Sequence, residues 1–218
     1  MTSTEELINQ LSKDLTPTPK LRPLAQLFGF WLVASLLYVF GLSAVMGSFR
    51  PGFISDLALD PFWLLEVIAG IAIVCLVGWA ALASAMPGLR HQTFLRIAGI
   101  ATLVWLMGVG VDWLPVHHLR EGLTVADPML GKRPHCIWET LLLTALPMTA
   151  TIVMQQRRYP ADKIKSVALA GISSAVLATW TMQMACMHHT EHSLSFHLAP
   201  ALGVVVAAIV IALVIQRD

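Results

Sequence analysis

Six long apolar runs restrict what this chain can become. They cover about Leu24–Met46, Pro61–Ala85, Phe94–Leu114, Ile137–Gln155, Ser166–Ala185 and Leu198–Ile215. Each is close to the ~20 residues a helix needs to cross about 30 Å of hydrocarbon. Lipid offers no partner to a backbone N–H or C=O, so only helices or closed barrels cross it. These runs lack the polar–apolar alternation of barrel strands. The expectation is an all-α, polytopic membrane protein with six transmembrane helices. Composition agrees, with 12% charged residues against about 25% in a soluble domain. Mean hydropathy is +0.71. A cleaved signal peptide is not expected. The first thirteen residues are polar and include Glu5 and Glu6, and the first apolar run is too long for a signal core.

Charge gives the orientation. Lys13, Lys20, Arg22, Arg90, Arg96, Arg157, Arg158, Lys163, Lys165 and Arg217 share the side of the N-terminus. Arg50, Arg120, Lys132 and Arg133 lie opposite. Ten against four places both termini in the cytoplasm by the positive-inside rule. Histidine is distributed the other way. His117, His118, His135, His188, His189, His192 and His197 fall at or near the outer face, and only His91 inside. Cys136 and Cys186 also stand at outer helix ends.

Residues 1–23 form a cytoplasmic segment ahead of a six-helix transmembrane domain of residues 24–218. In "STEELINQLSKDLTPTP", Ser3 and Glu6 have the spacing of a capping box. Leu7, Ile8, Leu11 and Leu15 then share one helical face, and Pro17 and Pro19 stop the helix. A helix of about fourteen residues is marginal alone in water. It packs on a membrane surface or on a protein groove. Its polar face carries Glu5, Glu6 and Asp14 against a single Lys13. Interfacial helices favour Lys and Arg there, so a cytosolic protein with an apolar groove is the better match.

The ordered set of segments resembles the NrsF-type membrane anti-sigma factors over nearly the whole chain. The segments are "EELINQLSKDLTPTPKLRP", "FRPGFISDLALDPFW", "MPGLR", "HCIWETLLLTALP" and "RRYPADKIKSVALAGISSAVLA", followed by Cys186 and by Phe196–His197. The resemblance implies a six-span protein of the bacterial inner membrane. Such a protein holds an extracytoplasmic-function sigma factor and responds to heavy metals or oxidants. Cys136 and Cys186 match the cysteines before span four and after span five. Two features depart from the family: Glu66 stands where a basic residue is expected, and His188, His189 and His192 form a denser run.

If spans four and five are antiparallel neighbours, as the short connection Arg157–Lys165 favours, both sulfurs lie at one depth. Dithiol, disulfide and metal thiolate all remain open to such a pair. Two thiolates with imidazoles from His135, His188, His189 or His192 suit Zn(II) or Cd(II). Adding Met182, Met184 or Met187 favours Cu(I). No resident cofactor is assigned; zinc, copper or another soft ion is the candidate occupant. Cys75 reads as a small buried hydrophobe. Glu66 and Glu139 lie inside spans, where a carboxylate is costly, and both are expected to reach toward water at the outer end. Trp63, Trp105, Trp113 and Trp138 suit interfacial or packing positions.

Enzyme classes fit less well. A quinone-linked thiol oxidase relays electrons through two cysteine pairs and usually a CxxC; the chain has three cysteines and no CxxC. A b-type haem needs histidines facing each other within spans, and a transporter needs polar residues through the bilayer centre. The expected partners are the sigma factor and membrane lipid, with no direct contact to nucleic acid and no catalysis.

Overall fold

Helices replace all six apolar runs in the computed structural model, which describes residues 4–13, 21–49, 52–59, 61–86, 92–110, 135–186 and 192–215. The N-terminal helix is α1 (Thr4–Lys13). The first two runs become α2 (Leu24–Val45) and α4 (Pro61–Ala83), with a short α3 (Phe53–Leu59) between them that the apolar runs do not announce. Then come α5 (Gln92–Gly110), α6 (Cys136–Gln156) and α7 (Lys163–Ala185). A π-helical turn, Ser193–Leu198, leads into α8 (Ala199–Ile215). Among the described residues there is no strand. Among the described residues, five helical segments are long and apolar enough to cross a membrane: Leu24–Val45, Trp63–Ala83, Cys136–Gln156, Lys163–Ala185 and Ser195–Val214. The third expected span is the helix α5 and is not one of these five.

The bundle is built around α7. Seventeen of its 23 residues are buried, and it packs against α4, α6 and α8, with α2 touching it more lightly. α5 packs outside, on α4. The outer helices show the reverse of soluble amphipathicity. α2 buries only Trp31, Ser35, Val39 and Ser43, an i, i+4 stripe. Phe30, Val33 and Leu37 point outward. α6 buries Cys136, Glu139, Thr140, Thr144, Thr151 and Gln155, a polar stripe along its whole length. Polar and small residues facing inward and apolar ones outward is the pattern of helices packed in lipid.

Small residues allow the close contacts. Gly70 of α4 lies against the Trp180 indole and Gly78 against the Trp31 indole, each leaving no room for a Cβ. Trp180 also donates its indole N–H to the Val67 carbonyl at 3.0 Å. At the other end of α4, Gln155 donates to the Ala81 carbonyl at 2.7 Å and Ser84 meets Ser166 at 3.2 Å. Asp162 caps α7 by accepting the Lys165 N–H at 2.9 Å, and Arg158 donates to the Arg22 carbonyl beside it. Trp31 is 1% exposed, so its ring cannot swing aside. Gly78→Leu is therefore expected to destabilise the bundle by about 1–3 kcal/mol, the cost of overpacking. Thermal unfolding in detergent micelles measures it, and an unchanged midpoint would contradict this packing.

Candidate functional site

Four metal- and redox-capable side chains converge at the end of the bundle where α6 begins and α7 ends. Cys136 is the first residue of α6, after His135 at its N-cap. Cys186 is the C-cap of α7, where the backbone turns extended. α6 and α7 run antiparallel, so the two ends meet. The sulfurs are 3.2 Å apart, both are thiols, and both are buried in the main apolar cluster with Met182, Met184 and Leu143. A disulfide bond would be about 2.05 Å.

The π-helical turn adds two imidazoles. In an α-helix, residues five apart point about 140° from each other. The wider i→i+5 turn brings His192 and His197 to the same side, their rings 5.0 Å apart and perpendicular. His192 also stacks on Phe196 at 4.8 Å. The Thr140 hydroxyl, which donates to the Cys136 carbonyl at 2.8 Å, lies 3.4 Å from the Phe196 carbonyl and so joins the turn to α6. The donor atoms of Cys136, Cys186, His192 and His197 all lie within 4.8 Å of one another. His197 is fully buried. Neither of its ring nitrogens, nor Nε2 of His192, has an oxygen or nitrogen partner among the described residues; both imidazoles face the Cys136 thiol instead. Buried imidazoles are ordinarily partnered.

A family model described as negative regulator of sigma F matches residues 11–217. The chain belongs to the NrsF family. No curated protein and no solved structure shows significant similarity to it. The NrsF name makes it a negative regulator of a sigma factor.

Of the residues singled out in this NrsF chain by sequence, the structure brings together Cys136, Cys186 and His192. His135 is exposed and is not among the four that converge. His188 and His189 lie outside the described residues, as do His91, His117, His118, Trp113 and Leu15. Leu7, Ile8 and Leu11 fall on α1, where Ile8 is exposed; the side chains of Leu7 and Leu11 are outside the described set. His197, which the sequence places at the outer face and in the Phe196–His197 segment, is not among the ligand candidates the sequence offers. The signal that could have found it is its five-residue spacing from His192, which has meaning only if the helix widens there.

Both carboxyl groups differ from expectation. Glu66 and Glu139 are each 5% exposed, so neither opens to water within the described residues. Glu66 accepts a hydrogen bond from the Gln183 amide at 2.6 Å. Gln183 is one turn below Cys186 on α7, so this contact ties α4 to the helix end that carries the cysteine. Cys75 is only half-buried. Gln183→Leu keeps the volume but removes the donor. It is expected to cost roughly 0.6–1.7 kcal/mol, the range for hydrogen bonds between membrane helices. A lower unfolding midpoint in micelles is the readout; an unchanged one would show that the contact carries no net stability.

Proposed function

We propose that this chain is a six-span inner-membrane anti-sigma factor with both termini in the cytoplasm. It binds an extracytoplasmic-function sigma factor through the apolar face of α1. It releases that factor when heavy metal or oxidant reaches the Cys/His group at the outer face. Family membership supports sigma-factor regulation. The observation that carries the sensing role is the buried Cys136–Cys186 pair with two imidazoles beside it. The excess of Lys and Arg on the opposite side supports the orientation, and α5 supplies the sixth span. Glu5 and Glu6 in the first turn of α1 and Lys13 in its last complement the helix dipole. That leaves the leucine face to the partner.

A change at the outer end reaches the cytoplasmic end through α7, which touches most of the bundle. The signal must bind the holding and releasing packings unequally, since equal binding shifts nothing. The test is co-purification. The protein should retain its cognate sigma factor, and the Leu7→Asp/Leu11→Asp double variant should lose it while staying in the membrane fraction. Retention by that variant would remove α1 as the binding element.

A further inference from the structure

The geometry points to a divalent d10 metal ion, of the zinc–cadmium class, held in a closed four-ligand site by Cys136, Cys186, His192 and His197. Its regulatory meaning rests on reading this cluster as the sensor; the binding itself does not. Three observations carry it. The first is the donor set. Two sulfurs and two ring nitrogens within 4.8 Å of one another approach a coordination tetrahedron. With metal–sulfur bonds of about 2.3 Å and metal–nitrogen bonds of about 2.0–2.1 Å, its edges are roughly 3.3–3.8 Å. Small side-chain rotations close the difference, and the sulfurs open slightly from 3.2 Å.

The second is the desolvated imidazoles. His197 is fully buried and its ring nitrogens find no oxygen or nitrogen partner among the described residues; the group both imidazoles face is the Cys136 thiol, a weak partner for nitrogens that have lost water. Coordination gives one of those nitrogens a partner. The third is charge. Two thiolates and two neutral imidazoles around a divalent ion sum to zero. A monovalent ion such as Cu(I) leaves a net negative charge in an apolar cluster, which carries a desolvation penalty. The S₂N₂ tetrahedral set is that of zinc. Four protein ligands leave no open position, the mark of a structural or regulatory site rather than a catalytic one.

The ligands come from three elements, and this gives the ion its leverage. Cys136 fixes the start of α6, Cys186 the end of α7, and the two histidines the turn that leads into α8. Loading draws the start of α8 onto the α6–α7 pair. α8 rests on α7 where Gly171 meets Val205, so its position is felt along the central helix.

Cobalt(II) is the probe, titrated into the full-length protein in detergent micelles with thiols reduced and no sigma factor present. One Co(II) per chain is expected. It should show the intense visible bands of tetrahedral cobalt and a thiolate charge-transfer band, and Zn(II) should displace it. Cys136→Ser and Cys186→Ser should each lose charge-transfer intensity. His197→Phe should weaken binding by more than the ~10–100-fold that removing an outer-shell partner costs. His197→Cys should restore a tetrahedral spectrum with stronger charge transfer, and it carries the test if His197→Phe does not fold. His135→Ala should bind as the parent does. Sub-stoichiometric binding, an octahedral spectrum, or unchanged affinity in both His192→Phe and His197→Phe would overturn the site. So would a loss confined to His188→Ala/His189→Ala. Because no sigma factor is involved, failure here leaves the anti-sigma role standing, and failure of that role leaves this result standing.

Discussion

Cys136→Ser, Cys186→Ser and the double substitution are each expected to abolish induction of a reporter driven by the cognate sigma factor. The reporter should stay in one state whether metal or oxidant is added or not. Serine is close to cysteine in size, so the buried cluster around Met182 and Leu143 keeps its packing. Its hydroxyl, however, neither forms a disulfide nor binds a soft metal as a thiolate does. The energetics allow the switch. Moving a two-state equilibrium from 1:99 to 99:1 takes a roughly 10⁴-fold difference in affinity, about 5.5 kcal/mol. Structural zinc sites supply apparent binding energies of about 10–16 kcal/mol. A site of this kind therefore has enough energy to hold one packing over the other, even with much of it used to order the π-helical turn. Intact induction in all three variants would make the cysteines structural.

Deleting residues 1–20 is expected to have the opposite outcome: a reporter permanently on, with the protein still in the membrane. The first membrane-length helix begins at Leu24, so the truncation leaves every span whole. The contacts that hold the bundle, from Gln155 to Ala81 and from Trp180 to Val67, all lie beyond it. What is lost is α1 and the chain that leads from it. An isolated helix of this length is unstable in water, so on the proposed reading α1 would fold as it binds. Removal of the segment should thus act in full, not by degrees. A truncated protein that still represses would place the sigma-binding surface elsewhere on the cytoplasmic face.

Much of the architecture was legible because lipid simplifies the code. A run of apolar residues such as Leu24–Met46 has one structural solution, and α2 ends within a residue of the expected boundary. The meeting of Cys136 and Cys186 followed from antiparallel neighbours, with no need for side-chain detail. The polar interior was harder to see. Thr140, Thr144, Thr151 and Gln155 are spread thinly among leucines and alanines, and which face they share depends on a neighbour the sequence does not name. Glu66 looked like a residue reaching for water because its partner Gln183 is 117 positions away. His197 escaped for a different reason. A reading in steps of 3.6 residues sends it away from His192, and only the local widening of the helix returns it. α3 was missed because Phe53–Leu59 is too short and mixed to show a period.

Control of a cytoplasmic hold by an outward Cys/His group is read most directly from the sigma factor that stays bound. The full-length protein is recovered from membranes of cells exposed or not exposed to cadmium, and the sigma factor that comes with it is quantified. The wild type is expected to lose most of its sigma factor on exposure, and Cys136→Ser/Cys186→Ser to give the same recovery in both conditions. Equal recovery from the wild type with every inducing metal and oxidant, or exposure-dependent loss from the double variant, would contradict that control.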